Sequence, residues 1–432
     1  MLILLFSFAV KIILAFTVRE EIRSDSLDYY QLAQSINNTG EYTFEGKTTA
    51  RNIPGYPFFI AMIFKVFGEN ILCVKFIQSI IEIFTCLLFF LLCLKFLDTK
   101  YSLITLAIFA FFPSNVLYSQ TLLSEPLFNF FEILLLYLCL RSGTLNTGKI
   151  ILLGLLWGAA IMIRSSFALS VFIVPLFIFF HQRKLFEGYA KNRLNKSIKY
   201  SVLFLVGVFI FVFPWMLRNK IELGGFSLAT QAGFTFWGGS NPNATGTWYY
   251  QIEESNPLFN EQDEIKKDRE FWRQGIDYAI HNPHKFLIVG VKKIGYLFSS
   301  ERMILLYFMP DENKARTSTE VYKSINPLYV ALVNLPYFAV MLFGIWGLLT
   351  LKKNNFLIWS FILSWMLMFF LFVALSRYHY VLIPFFILGT GNALYLGKNL
   401  FKNLDIKRKI IGIAFCLFVI GVWISEFYLL YK

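Results

Sequence analysis

Residues 71–95 read ILCVKFIQSIIEIFTCLLFFLLCLK, an apolar run interrupted only by Lys75, Gln78, Ser79, Glu82 and Thr85 before it closes on Lys95. As a helix, such a run is long enough to cross a hydrocarbon core of roughly 30 Å. Working outward from it, similar stretches occur at 1–17, 101–118, 122–140, 148–164, 166–181, 200–217, 326–350, 355–374, 380–396 and 409–429. Together they predict an all-α polytopic membrane protein with about eleven spans. Composition agrees: 57% of the 432 residues are hydrophobic, against roughly 45–50% in soluble domains, and 50 are Phe. The first run lacks a basic leader and a small-residue cleavage site, so it reads as an uncleaved first helix.

The formal charge of +13 does not indicate nucleic acid. Nucleic-acid binding gathers bases on a soluble face, whereas here they lie between apolar runs. Loop 181–199 holds Arg183, Lys184, Lys191, Arg193, Lys196 and Lys199 against Glu187. Segment 397–409 holds Lys398, Lys402, Lys407, Arg408 and Lys409 against Asp405, and Lys352 and Lys353 follow the eighth span. In the eleven-span arrangement all three fall on one side. Basic short loops are retained in the cytoplasm, which predicts an inner or cytoplasmic membrane location, a cytoplasmic N-terminus and external segments at 18–70 and 218–325. No separate soluble domain is expected, so 1–432 reads as a single transmembrane domain. Within the second external segment, Phe286–Phe298 is too short to span and reads as an interfacial helix. The five cysteines lie within predicted spans, without metal-ligand spacing, and predict neither a disulfide nor a thiolate metal site.

The external segments hold the candidate chemistry. Asp25, Asp28 and Tyr29 share a face of a helix starting near Ser26, where Ser24 or Asp25 could cap it with Asp28 completing a capping-box-like turn. A carboxylate fixed there is placed to take a proton from an incoming hydroxyl; the plainer alternative is an N-cap. Arg51 precedes Pro54-Gly55-Tyr56-Pro57, read as a turn that no regular helix accommodates, and its planar fork suits a phosphate. Ser124-Glu125-Pro126 opens the fourth span with Ser as cap and Pro in the first turn. Glu125, an acid at the bilayer boundary, requires water, a partner or a metal. Arg164, Arg218 and Arg377 each stand where a span emerges externally, as an anion site would require, or as anchors snorkelling to headgroups. Trp237 to Gly246, with Asn241, joins aromatics to amides as sugar sites do. His281, His284 and His379 lack zinc spacing and read as ordinary loop residues.

Five segments in order resemble the bacterial members of glycosyltransferase family 39, in the GT-C superfamily with the protein O-mannosyltransferases and lipid A aminoarabinose transferases. They are Asp25…Tyr29…Ala33; Arg51…Pro54-Gly55-Tyr56-Pro57; Ser124-Glu125; Pro214-Trp215…Arg218-Asn219 with Gly239…Asn241-Pro242…Gly246; and Arg377-Tyr378…Pro384. The resemblance implies a GT-C-type helix bundle that transfers a sugar, with inversion, from a polyprenyl-phosphate donor to a lipid, protein or polysaccharide acceptor at the external face. It implies Asp25 as general base and, in Glu125, an acid near the donor or a divalent ion; Asp28, on the same helical face as Asp25, is a further catalytic candidate. Tyr29, Arg51, Tyr56, Arg164, Arg218, Asn219, Asn241, Arg377 and Tyr378 are the substrate-binding candidates. Asp25 and Glu125 are the candidates for holding a divalent cation, should one be used. Relatives often carry Asp-Glu where this chain has Asp25-Ser26, and the aminoarabinose transferases carry Glu-Lys-Pro-Pro near Arg51–Pro54. Two readings compete with the transferase: a non-catalytic envelope-assembly or lipid-binding protein, and a secondary transporter. Lys11, Glu82 and Glu132 are the main midspan charges a transporter could use.

Overall fold

A computed structural model describes residues 1–141, 146–186, 189–247, 256–308, 318–351 and 355–431. Lys352, Lys353 and Glu187, used in the charge reading, lie outside them, as do the side chains of Arg183 and Lys184. The first half contains α1 (Leu2–Thr17), α2 (Asp25–Thr39), α3 (Gly55–Phe67), α4 (Ile71–Cys93), α5 (Thr99–Ala110), α6 (Pro113–Tyr118), α7 (Glu125–Leu140), α8 (Thr147–Ile163), α9 (Ile173–Leu185) and α10 (Ala190–Leu223). Next come α11 (Ala232–Gly238), α12 (Glu264–His281), α13 (Pro283–Leu297), α14 (Met303–Leu306) and α15 (Ser318–Ser324). The chain ends with α16 (Pro327–Thr350), α17 (Asn355–Leu371), α18 (Ile383–Leu396) and α19 (Ile406–Tyr431). The sole strand pairing among the described residues is a two-residue hairpin, Thr43–Phe44 against Lys47–Thr48.

Every predicted span falls on helix, and the chain is an all-α multi-pass membrane protein. Five helical stretches among the described residues are long and apolar enough to cross a membrane: Ile71–Cys93, Ala190–Leu223, Pro327–Thr350, Ser376–Asn399 and Ile406–Leu430. Six further apolar helices are shorter, so length alone supports fewer complete crossings than eleven. The run at 101–118 is divided at Phe111–Phe112 because Pro113 starts a new helix. The basic stretch 190–199 is not loop but the first turns of α10, since no residue there breaks the helix.

The Pro-Gly-Tyr-Pro stretch is also helical, against expectation. α3 begins at Gly55, which puts Pro57 in the first turn, where its missing N–H removes no helical bond. Gly55 is needed because a Cβ there would stand 2.3 Å from the Met162 carbonyl oxygen. The start of α3 is thereby seated against the end of α8, beside Arg164. A comparable approach joins α16 to α18: a Cβ on Gly347 would lie 1.7 Å from the Gly389 carbonyl oxygen. Close backbone packing of this kind is how apolar helices associate where the hydrophobic effect is weak.

Candidate active site

Asp25 is the first residue of α2. Ser24, before it, has φ 52° and makes no side-chain cap bond. The turn is closed instead by Ser26, whose Oγ donates to the Arg23 carbonyl at 2.8 Å and accepts the Arg23 N–H at 3.0 Å. The expected capping box does not form, which leaves the Asp25 carboxylate free to pair with Arg377, 352 residues away in sequence.

Arg377 lies in a 3₁₀ turn, Ser376–Leu382, that leads into α18. Its Nη1 donates to the Tyr307 hydroxyl at 2.7 Å, and its Nε lies 4.0 Å from Glu125 Oε1. The same Glu125 oxygen is 3.2 Å from Arg164 Nη1. Both guanidinium groups lie over the Tyr378 ring, at 5.5 Å for Arg164 and 5.3 Å for Arg377. Two carboxylates and two guanidiniums thus alternate in charge, with both guanidiniums over one aromatic ring. The Glu125 and Arg377 side chains are 3% and 7% exposed, whereas Asp25 is 40% exposed. Asp25 is therefore the face of the cluster that an incoming molecule meets.

Tyr29, one helical turn after Asp25, bonds Ser124 and lies within the fields of Asp25 and Glu125. Burial, and then those two acids, raises its hydroxyl pKa well above the usual value, so it stays protonated as a donor. Beneath it Tyr56, fully buried, meets it edge-to-face at 5.0 Å and donates to Gln78 Oε1 at 2.5 Å. Tyr56 supports the site from below rather than opening into it. Asp28 is largely buried, with Oδ2 3.3 Å from both Arg51 Nη2 and Asn52 Nδ2. Arg51 is half-exposed and stacks over Phe44 at 5.4 Å.

Electrostatics separates the two aspartates. Burial would raise the Asp25 pKa, but Arg377, with Arg164 and Arg51 behind it, outweighs burial and holds the carboxyl below its usual range. For Asp28 burial prevails over Arg51, and its carboxyl is raised.

Three expected binding residues do other work. Arg218 donates from Nη1 to the Thr49 carbonyl (2.7 Å) and to Asn219 Oδ1 (3.0 Å), and from Nη2 to the Tyr42 carbonyl (3.1 Å). Its flat group also covers Trp215 at 4.9 Å. Asn219 donates to the Ser227 carbonyl at 2.8 Å, and Asn241 to the Trp237 carbonyl at 2.8 Å. These side chains bond backbone carbonyls at bends and so fasten the chain to itself. The cleft of about 270 Å³ beside Trp237 and Asn241 is lined largely by groups already bonded within the chain, such as Arg273 to Glu270 and His281 to Asp277.

Sequence reasoning missed Tyr307 and Glu20. Both carboxylate oxygens of Glu20 accept the Leu122 N–H, at 2.9 and 3.0 Å, at the bend leading to Ser124-Glu125. Burial lifts its pKa to about 7 against the opposing effects of that N–H and Lys75. Nothing in the local sequence of either residue marks it, since both depend on distant partners. The midspan acids are partnered, Glu82 with the Tyr380 hydroxyl at 3.1 Å and Glu132 with the Trp365 indole at 2.6 Å. As for a divalent cation, Asp25 and Glu125 are already matched by guanidiniums, and no group of three potential His, Cys, Asp or Glu ligands occurs among the described residues. Either carboxylate would have to leave a guanidinium before it could hold an ion.

Comparison with known proteins supports the resemblance read from the motifs. Residues 51–217 match the family model described as dolichyl-phosphate-mannose-protein mannosyltransferase. No curated protein matches the chain. Two structures of the oligosaccharyltransferase of Archaeoglobus fulgidus align over 97% and 99% of this chain, each with a TM-score of 0.50, at 14% and 16% identity. One, AglB, was solved with an inhibitory peptide and a dolichol-phosphate; the other was tethered to an acceptor peptide containing an NVT sequon. The chain spans 54% of their length. ArnT of Cupriavidus metallidurans, bound to undecaprenyl phosphate, aligns over 98% of this chain and 77% of its own, at 11% identity and a TM-score of 0.45.

Proposed function

We propose that this membrane protein of GT-C fold is an inverting glycosyltransferase that moves a sugar from a polyprenyl-phosphate donor to an acceptor hydroxyl at the external membrane face. The observation that carries the reading is the pairing of one accessible carboxylate, Asp25, with a deeply seated guanidinium, Arg377, at the mouth of an apolar helix bundle. A polyprenyl phosphate gains negative charge as the glycosidic bond breaks, so cations there stabilise the transition state more than the ground state. Arg377 and the half-exposed Arg51 are the candidates for that phosphate. Asp25, on the opposite side of the sugar, takes the acceptor proton, while Glu125 and Arg164 hold Arg377 in place.

The resting pair also suggests how the base is made competent. While bonded to Arg377, Asp25 is a weak base. A donor phosphate that draws the guanidinium toward itself weakens that bond and returns basicity to Asp25 when substrate is present. The external location is supported by α10. Its basic first turns and Arg218, near its other end, are separated by most of a 34-residue helix, roughly 50 Å long. The positive-inside bias would place the first in the cytoplasm and the second, which braces the segment after α2, outside. No step is routed through a metal ion.

The test is transfer by the purified full-length chain in nanodiscs, using polyprenyl-phosphate sugars and a panel of lipid, peptide and glycan acceptors. Release of polyprenyl phosphate coupled to acceptor glycosylation, without any ion gradient, is the expected result. Gradient-driven uptake into proteoliposomes with no transfer would replace this reading by the transporter. Lipid binding with no transfer would favour an assembly protein.

A further inference from the structure

Two residues beyond Arg377, His379 lies wholly inside the protein, at 0% exposure. Its Nδ1 is 2.9 Å from the Leu297 carbonyl oxygen and its Nε2 is 2.9 Å from Glu301 Oε1. Tyr337 stacks on the ring with centroids 4.4 Å apart. Glu301, equally buried, accepts the Ser114 hydroxyl, and its own N–H donates to Asn334 Oδ1 at 2.9 Å. The proposed reaction makes no use of this pair.

Its proton content follows from the partners. A carbonyl oxygen only accepts, so Nδ1 carries hydrogen. Nε2 then faces a carboxyl oxygen at hydrogen-bonding distance and has no other partner. A bare lone pair opposite a bare carboxylate would repel, so one proton lies between them. Whether written as imidazolium with carboxylate or as imidazole with carboxylic acid, the pair has the same protons and no net charge. That is the form a dry interior tolerates, because an unmatched charge there is costly.

The pair joins four pieces of chain: the turn Ser376–Leu382, the segment following α13, α6 through Ser114, and α16 through Asn334 and Tyr337. The first carries Arg377, and the second leads into Tyr307, whose hydroxyl accepts from Arg377. His379 and Glu301 therefore tie together the two segments between which the Arg377 guanidinium is held. We propose that they are a proton-sharing positioning pair that keeps Arg377 and Tyr307 in register for the donor phosphate. This rests on the reading of Arg377 as a phosphate ligand. The other ionisable groups around the pair are Tyr337, Tyr118 and Tyr307, Arg302 bound to Glu426 at 3.2 Å, and Arg377 bound to Asp25. None of these occupies Nε2.

Two measurements on the full-length chain in nanodiscs decide it. In the first, imidazole ¹⁵N labelling with His379→Gln for assignment should show hydrogen on Nδ1 and a shared proton at Nε2 through neutral pH. A free Nε2 lone pair there would overturn the proton-sharing claim. The second is affinity for a sugar-free polyprenyl phosphate at neutral pH. Glu301→Gln, whose amide can donate to Nε2 in place of the shared proton, should keep affinity within about twofold of the wild type. Glu301→Leu should lose about tenfold or more, the range expected for a charged hydrogen bond. A loss in Glu301→Gln as large as that in Glu301→Leu, or wild-type affinity in Glu301→Leu, would reduce the pair to core packing. If Glu301→Leu does not fold, the Glu301→Gln affinity and the nitrogen spectrum still decide. If the wild type binds no polyprenyl phosphate, the functional reading and the positioning role fail together, while the nitrogen spectrum reads the shared proton separately.

Discussion

Two of the groupings that arginine and carboxylate side chains make among the described residues use the same residue types for different ends. At Asp25, Arg377, Glu125 and Arg164 the arginines are buried and one carboxylate is accessible. At Arg218 and Glu264 the partners are the chain itself. Glu264 accepts from the Thr49 hydroxyl (2.6 Å), the Ala50 N–H (3.0 Å) and the Thr230 hydroxyl (2.8 Å), while Arg218 holds the Thr49 and Tyr42 carbonyls. The second grouping fastens residues 42–50 to α10 and α12, and so holds Arg51 in position. The first has polar capacity left for a ligand. Residue type and position at a helix end do not separate a brace from a site; the destination of each hydrogen bond does.

Four changes would break or sharpen that contrast. The largest effect is expected for Asp25→Asn, which should lower transfer by about 10²–10⁴-fold, the usual contribution of a general base. Polyprenyl-phosphate binding should survive, as read by direct titration. Normal turnover in the folded variant would move the base to Asp28 or Glu125.

Next is Arg377→Gln, expected to weaken polyprenyl-phosphate affinity about 10–100-fold, as loss of a charge-assisted bond does. It should also move the acid limb of transfer. In the wild type Asp25 is held below the usual carboxylate range, so it stays ionised, and active, until pH falls below that range. Without Arg377 its pKa rises, and activity should be lost at a higher pH on descent. An unmoved acid limb would show that Arg377 does not set the charge state of the base.

A smaller effect, of another kind, is expected for Arg218→Gln and Glu264→Gln. Each should lower thermal stability by about 1–3 kcal/mol through unpaired buried groups. Transfer per folded molecule should stay within about twofold. If Arg218→Gln instead abolished polyprenyl-phosphate binding while melting normally, the brace would prove to be part of the site.

The smallest expected effect is none. Exhaustive chelation should leave transfer unchanged, since guanidiniums already neutralise the two candidate carboxylates. Loss of activity restored by a divalent cation would require Asp25 to leave Arg377 and join a metal.

The sequence by itself determined the membrane class and the helical placement of every apolar run; it also set the basic loops apart from the segments that carry Asp25, Glu125, Arg164 and Arg377, which the structure brings into one cluster. These are readable because burying apolar length in lipid, the charge asymmetry between loops and the cost of acids at the bilayer edge are local properties of the chain. Other features depended on tertiary structure alone. The Pro-Gly-Tyr-Pro stretch opens a helix, with Pro57 in its first turn, and Gly55 lets that helix start against the Met162 backbone. Arg218 is a brace because two carbonyls from the first external segment reach it. His379 looked like a loop residue because its meaning lies in Leu297 and Glu301, more than seventy positions away. Spacing along the chain records periodicity and propensity. It does not record which distant carbonyl or carboxylate will take a given proton, and in this protein that pairing divides the groups left open to a ligand from those that hold the scaffold.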